Sequence, residues 1–254
     1  MPGSGSPLAA PIRTRDVPAR RGPGWLADGW TFFRGRPLVW MGMGAGWIVI
    51  TLGLLMVPII GGIAANVLQP VFFASFAIAA RKQENGETIE MGELFTGFRR
   101  PLMPLANLGA ILLVAELAIF ALLALLGLPG LTADAEGTVS MADFVREMQG
   151  KEWILLVGLV LTALVKGALW FAPAVLAFHD MNTAHAIRWS LYAALSNLGA
   201  MVLYGLVLTV AMAAAILPWG LGLMVVIPVM VASSYVGYKD VFVEIDAEPD
   251  VTPA

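Results

Sequence analysis

Long apolar stretches, broken by short polar or charged segments, dominate the pattern of hydrophobic and polar positions along the chain. Each of the six stretches has about 20 residues or more, enough for a helix to cross about 30 Å of hydrocarbon. Backbone groups cannot remain unpaired in lipid, so the pattern predicts transmembrane helices rather than strands. The predicted spans are Leu38–Val57, Ile59–Ala80, Leu102–Gly127, Trp153–Phe178, Leu191–Leu217 and Trp219–Tyr238.

The second and sixth stretches resemble each other, since both contain an internal proline and end at a basic residue. Aligning Pro70 with Pro228 places Ser75 on Ser233 without a gap. The same alignment places Ala74 on Ala232 and Arg81 on Lys239. Very short turns join spans one and two and spans five and six. The sequence therefore predicts two hairpins and an internal repeat in which spans one and two correspond to five and six.

A shorter amphipathic segment precedes the first span. From Trp25 to Pro37, helical spacing places Trp25, Trp30 and Phe33 on one side and the arginines elsewhere. This pattern is typical of a helix that lies in the membrane interface with its rings toward the lipid. We therefore expect an all-α membrane protein with six transmembrane helices and one N-terminal interfacial helix.

The composition agrees with a membrane protein: 59% of the 254 residues are hydrophobic, 13% are charged, and the mean hydropathy is +0.81. A soluble domain carries about 25% charged residues. We interpret residues 1–24 as a disordered basic tail, 25–242 as the transmembrane domain and 243–254 as a disordered acidic tail. With no cysteine in the chain, disulfides and cysteine-ligated metal centres are excluded.

Basic residues are concentrated on one side of the predicted membrane domain. With six spans both termini share a side, and the opposite side carries only Arg146 and Lys151. The positive-inside rule therefore places both termini in the cytoplasm. The basic residues on that side are Arg13, Arg15, Arg20, Arg21, Arg34, Arg36, Arg81, Lys82, Arg99, Arg100, Arg188 and Lys239.

Two charges fall inside the spans: Glu116 in the third and Lys166 in the fourth. Counted from the connection between these spans, they lie at about 17 Å and about 20 Å, nearly the same level. A charge at mid-bilayer costs about 2.5–3.5 kcal/mol, so a pair is expected. The pair either lines a cavity for a proton, an ion or a polar substrate, or is a structural salt bridge. The two readings remain open, as does a Lys166 side chain that reaches to the interface.

The two internal prolines define a second candidate, a helix-break site. Each proline frees the carbonyl four residues earlier, at Asn66 for Pro70. Interrupted helices in corresponding positions of two repeats are found at transporter binding sites. The alternative is ordinary packing by small polar residues. The candidate residues are Asn66, Gln69, Pro70, Ser75, Pro228 and Ser233.

One short polar loop carries the two histidines of the chain, His179 and His185, together with Asp180. These side chains are potential metal ligands. A helix cap at Asp180 or Thr183 is the simpler interpretation. We find no phosphate-binding loop, dinucleotide fingerprint or catalytic triad pattern. The sequence thus predicts no catalytic residue, no metal and no cofactor, and we expect that the protein is not an enzyme.

Two motifs carry a resemblance to a known family. The segment LFTGFRRP (residues 94–101) and the closing pattern P-x-G-L-G…P…S-x-Y-x-x-Y-K-D-x-F (Pro218 to Phe242) resemble an uncharacterised family of six-helix bacterial inner-membrane proteins. The likeness covers roughly residues 24–242. It implies the six-helix architecture and an inner-membrane location, and it supplies no catalytic residues.

Two classes of function follow. The first is an accessory or scaffold protein, with contacts through the helix faces and the LFTGFRR loop. The second is a small transporter or channel that uses Glu116 and Lys166. The expected partners are the lipid bilayer and, as further candidates, other membrane proteins; no nucleic acid is expected.

Overall fold

The computed structural model describes residues 12–99, 102–129, 141–217 and 219–244. Within these ranges the chain is nearly all helical, as predicted, with one addition: a two-stranded antiparallel ribbon. The strands are β1 (Ile12–Thr14) and β2 (Phe242–Glu244). The α-helices are α1 (Arg21–Gly35), α2 (Pro37–Leu55), α3 (Ile60–Glu84), α4 (Leu102–Leu125), α5 (Met141–Met148), α6 (Trp153–Ala168), α7 (Ala172–Phe178), α8 (Thr183–Ser196), α9 (Leu198–Ile216) and α10 (Leu223–Val241), with a 3₁₀ helix at Met91–Arg99.

The six spans are confirmed: six helical segments are long and apolar enough to cross a membrane. The sixth begins at Leu223, four residues later than predicted, and two others contain breaks that were not predicted. The fourth is divided into α6 and α7, and the fifth begins at Leu198 because the helix is broken at Asn197. The segments are Pro37–Leu55, Ile60–Glu84, Leu102–Leu125, Trp153–Phe178, Leu198–Ile216 and Leu223–Val241.

A polar side chain contacts the backbone at each break. At the first, the buried Ser190 hydroxyl donates to the Ala168 carbonyl at 2.8 Å and accepts the Phe171 N–H at 3.2 Å. At the second, the Asn197 amide donates to the Ala193 carbonyl at 3.0 Å. The Ser190 contacts replace helical hydrogen bonds that would otherwise be lost in an apolar environment. At Asn197 the Ala193 carbonyl also keeps its helical bond from the Asn197 N–H, at 3.1 Å.

Helices α3 and α10 form the centre of the bundle. In their most apolar windows, 50% and 61% of residues are buried, against 17% to 22% in the other four spans. The buried part of α3 runs from Pro70 to Ala80 and is rich in alanine, which permits close helix contact. The other spans therefore surround this pair and expose much of their apolar surface.

The predicted repeat extends to how these central helices are packed. A Cβ added to Gly97 of the 3₁₀ helix would lie 2.3 Å from the Val71 carbonyl oxygen and 2.7 Å from the Ser75 hydroxyl. A Cβ added to Gly29 of α1 would lie 2.8 Å from the Val229 carbonyl oxygen and 2.9 Å from Ser233. In each central helix, the turn that follows the internal proline thus packs against a glycine of a short neighbouring helix.

The hairpin turns show the same correspondence. Ile59 and Trp219, each preceded by a proline in the sequence, both have positive φ, 63° and 56°. A non-glycine residue in this region is uncommon. Its occurrence at matching points of the two turns supports a common design for the α2–α3 and α9–α10 hairpins.

The N-terminal helix is present, but the prediction that its rings face lipid was wrong for Trp25 and Phe33, whereas Trp30 is 44% exposed. Helix α1 packs against α9 and α10, and Trp25 and Phe33 are buried. Trp25 has ring contacts with Phe171 and Tyr204. An amphipathic helix has the same pattern whether its apolar side meets lipid or protein, so the sequence alone did not distinguish the two.

The predicted tail boundaries also need correction. Residues 12–24 contain β1 and the start of α1, and residues 243 and 244 belong to β2, so these residues are not disordered tails. Pairing between β1 and β2 and a hydrogen bond from the Val17 N–H to the Asn197 side chain hold the N-terminal segment in place. Residues 1–11 and 245–254, the rest of both predicted tails, lie outside the described residues.

Candidate functional site

The two intramembrane charges are in contact. Lys166 Nζ donates to Glu116 Oε1 at 2.6 Å, which confirms the expected proximity of the two side chains. Glu116 lies on the side of α4 that also carries the buried Leu112, and Lys166 is near the end of α6. The side chains of Lys166 and Glu116 are 42% and 30% exposed, so the pair is accessible from outside the protein.

The surface around this ion pair is apolar. Val114, Leu117 and Phe120 on α4 are 58% to 66% exposed, and Leu159 and Leu164 on α6 are similarly exposed. Neither the cavity beside Glu84 nor the cavity beside α8 includes Glu116 or Lys166. Chemically, the pair connects α4 to α6 and presents both charges to whatever covers this face.

The predicted helix-break residues are used in intramolecular contacts. Asn66 donates to the Gly62 carbonyl at 3.1 Å. Ser75 donates to the Val71 carbonyl at 3.0 Å and accepts the Gly97 N–H at 2.9 Å.

On α10, the Ser233 hydroxyl donates to the Met230 carbonyl at 2.7 Å and lies 2.8 Å from the Tyr204 hydroxyl. Pro70 and Pro228 are buried, and Gln69 is half-buried. The serines therefore serve helix packing in both central helices, and a ligand at this level stays a prediction.

The structure separates the two histidines. His179 is buried, with Nε2 2.7 Å from the Tyr238 hydroxyl, whereas His185 is exposed on α8. The cap of α8 is Asn182, whose side chain accepts the His185 N–H at 2.9 Å, and not Asp180 or Thr183 as predicted. Among the described residues, no three His, Cys, Asp or Glu side chains come together as a metal site would need.

Sequence reasoning missed an ionic network centred on Asp240 at the end of α10. Its carboxylate accepts hydrogen bonds from Arg21 and from Trp25 Nε1, the latter at 2.9 Å, and pairs with Arg15 at 3.3 Å. The hydrogen bond to Asp240 raises the pKa of Arg21, although burial acts against it. The network fastens β1 and α1 to the last span.

A second group lies beside it, at the end of α3. Glu84 accepts hydrogen bonds from Lys239 and, at 2.7 Å, from the Tyr235 hydroxyl. Arg81 stacks over the Phe178 ring at 4.8 Å. A cavity of about 410 Å³ opens here, lined by Arg15, Arg81, Glu84, Tyr235 and Lys239 among others. The Y-x-x-Y-K-D spacing, already part of the family resemblance, was the available signal for this cluster.

The 3₁₀ helix is fastened to α3 by a further ion pair. Glu93 accepts hydrogen bonds from Lys82 Nζ at 2.9 Å and from the Thr96 hydroxyl at 2.7 Å. Burial tends to raise the pKa of Glu93, but these hydrogen bonds and the nearby positive charges bring it below its usual value. Residues 94–99, the described part of the LFTGFRR loop, are therefore largely docked on α3, with Phe95 47% exposed.

Comparison with known proteins gives a likeness to a bacterial membrane protein. No family model matches the chain, and no solved structure is significantly similar to it. A protein of Burkholderia thailandensis named as a probable inner membrane protein is 28% identical over 197 residues, which cover 75% of this chain and 73% of that protein. The chain is thus similar to a probable inner membrane protein, and its six apolar helices fit the uncharacterised membrane family that its motifs resemble.

Proposed function

We propose that the protein is a non-enzymatic accessory or scaffold protein of the bacterial inner membrane, with both termini in the cytoplasm. Its partners are the lipid bilayer and at least one other membrane protein, and no nucleic acid is involved. The inner-membrane location is supported by the name of the similar Burkholderia protein and by the motif resemblance.

The observation that carries the proposal is the accessible ion pair between Glu116 and Lys166. It lies in the middle of two peripheral spans, amid exposed leucine, valine and phenylalanine side chains. Charges facing hydrocarbon are costly, and intramembrane ionisable groups usually face protein or water. A helix of a partner protein that packs against α4 and α6 would shield the pair and cover the surrounding apolar surface.

Site-specific photocrosslinking in native membranes tests this contact. A crosslinking amino acid at Leu117, 58% exposed beside Glu116, should give a protein adduct of discrete mass. The matched control is Val49 on α2, 68% exposed, which should give lipid adducts only. The Leu117 adduct should be lost when Glu116→Gln and Lys166→Met are combined. Identical lipid adducts at both positions would contradict the proposal.

The cytoplasmic orientation is supported by the basic residues on the terminal side and by the β1–β2 pairing, which brings both described ends together. The cysteine-free chain suits a labelling test. We expect a membrane-impermeant maleimide to label Glu147→Cys in intact spheroplasts and to label Thr252→Cys only after lysis. The reverse pattern would invert the orientation.

The second candidate is a small transporter or channel. It is favoured by the two corresponding proline-containing helices at the centre of the bundle, an arrangement that transporters with internal repeats share. Purified protein in liposomes loaded with a pH-sensitive dye distinguishes the two functions. A proton or cation flux that Glu116→Gln abolishes, with the fold retained, would replace the accessory proposal by transport.

A further inference from the structure

A second cavity, of about 890 Å³, opens between β1 and helix α8, away from the ionic network on α3 and α10. We refer to it as the α8 cleft. Its polar end is formed by Arg13, His185 and Arg188, and its apolar part includes Leu191, Tyr192 and Leu195.

The charge of the α8 cleft is uncompensated. No carboxylate is among its lining residues. Arg13 and Arg188 are both exposed, and within the described part of the chain neither forms an ion pair. In contrast, Arg15, Arg21, Lys82 and Lys239 each pair with an acidic side chain. Two guanidinium groups are therefore available for an anion, and guanidinium binds phosphate oxygens in bidentate geometry.

The polarity of the α8 cleft changes in one direction along α8. His185, Arg188, Tyr192 and Leu195 follow one another at helical spacing and share a face. The N-terminal part of this face is charged, whereas Leu191, Tyr192 and Leu195 are 40% to 61% exposed toward its C-terminal end. That end leads directly into the membrane span α9. The charged part thus lies farthest from the span and the apolar part nearest to it.

The N-terminal segment that supplies Arg13 is held in place. The Asn197 side chain, buried at the α8–α9 junction, accepts the Val17 N–H at 2.7 Å and donates to the Arg15 carbonyl at 3.2 Å. Arg13 itself is paired with Val243 in the β-ribbon. The α8 cleft is therefore formed by the folded protein before any ligand arrives.

We propose that the α8 cleft binds one acidic phospholipid of the surrounding membrane. Its phosphate lies between Arg13 and Arg188, and an acyl chain runs along Leu191 and Leu195 beside the Tyr192 ring. The order of charged and apolar groups in the α8 cleft matches that of a phospholipid, with the headgroup toward water and the chain toward the bilayer. The site does not depend on whether the protein is a scaffold or a transporter.

Native mass spectrometry of the full-length protein with phosphatidylglycerol, and with phosphatidylcholine as the zwitterionic comparison, tests the site. The double variant Arg13→Gln/Arg188→Gln should bind phosphatidylglycerol about 25-fold more weakly, at about fivefold per arginine. The control Arg20→Gln/Arg34→Gln removes the same charge from exposed positions outside the α8 cleft and should leave binding within about twofold. Equal losses in both double variants would overturn the proposal in favour of a general surface field.

A third variant separates lipid from soluble phosphate. Leu195→Gln keeps all charges and should weaken phosphatidylglycerol binding without changing the binding of inorganic phosphate. If inorganic phosphate displaces phosphatidylglycerol at comparable concentrations, or if Leu195→Gln has no effect, the ligand is not a lipid and the proposal fails. Circular dichroism of each variant confirms that the fold is retained, since all the substituted side chains are exposed.

Discussion

A double-mutant cycle on the intramembrane ion pair gives a sharp test of how the bundle is held together. The three variants are Glu116→Gln, Lys166→Met and their combination. Each single variant leaves one charge at about 14–20 Å from the ends of α4 and α6 that are joined through α5. On the insertion scale an unpaired charge at mid-bilayer costs about 2.5–3.5 kcal/mol.

The length of the side chains lowers this cost, because an unpaired charge can extend along its helix toward the membrane interface. We expect each single variant to lose about 2 kcal/mol in the free energy of unfolding. The double variant, with no charge to bury, should lose only about 1 kcal/mol, so the coupling is about 3 kcal/mol. Lys166→Met should be the more harmful single change, because glutamate has the shorter stem and reaches polar surroundings less easily.

Reversible unfolding by sodium dodecyl sulfate in mixed micelles, followed by circular dichroism, measures these free energies. The matched control is the exposed Asp143–Arg146 pair on α5, at 3.2 Å, for which the coupling should remain below about 1 kcal/mol. Additive effects of Glu116→Gln and Lys166→Met would show that the two charges do not stabilise each other. That outcome would refute the structural basis of the accessory proposal as well.

Three further predictions concern the packing of the short helices. Gly29→Ala would place a methyl group 2.8 Å from a backbone carbonyl oxygen of α10 and should lower the free energy of unfolding by about 1–3 kcal/mol. The control Gly205→Ala, with nothing within 4 Å, should raise it by about 0.5–1 kcal/mol. Equal effects of the two variants in a detergent unfolding titration would contradict this packing. Glu93→Gln should reduce stability at pH 7, because the pKa of Glu93 is lowered in the folded state. The difference from the unsubstituted protein should vanish as the pH falls below the pKa of the unfolded state, about 4.3, and through the lower pKa of the folded state. A constant difference from pH 7 to pH 3 would exclude this cause. Trp25→Phe removes the indole hydrogen bond to Asp240 while retaining most of the buried ring. Thermal unfolding should report a loss of about 1.5–3 kcal/mol in the free energy of unfolding. An unchanged midpoint would show that this hydrogen bond contributes nothing to stability.

The Glu116–Lys166 pair and the two proline-containing helices could be predicted from the sequence because helix geometry fixes where such residues lie. The depth of Glu116 and Lys166 in the membrane follows from the rise of about 1.5 Å per residue of an α-helix, counted from the connection that joins these two antiparallel helices. Their contact needed no knowledge of the remaining helices. The alignment of Pro70 with Pro228 likewise anticipated two equivalent central helices, although it did not reveal the glycines, Gly29 and Gly97, that pack on them.

The ionic network and the α8 cleft could not be predicted in this way. Asp240 meets Arg15 and Arg21 across nearly the whole length of the chain, and Arg13 and Arg188, also distant in sequence, line one cleft. A charge pattern identifies the side of the membrane on which a residue lies, but not which residues of that side come together. The break between α6 and α7 was missed because Ser190, which satisfies its backbone, lies on another helix. The break at Asn197 was missed because one polar residue in an apolar run is equally compatible with a continuous helix.

By itself, the sequence determined that the spans lie in lipid, how many spans there are and at what level the two intramembrane charges lie. The reason is that hydrocarbon requires about 20 apolar residues per helix and penalises each isolated charge. Only the tertiary structure decided which apolar faces meet protein and which remain exposed. Trp25 and Phe33 are buried against α9 and α10, while Leu117 and Val49 are exposed, although all four have the hydrophobicity of membrane-facing residues. The physical reason is that lipid and a protein interior are almost equally apolar, so hydrophobicity cannot select between them and close steric fit does.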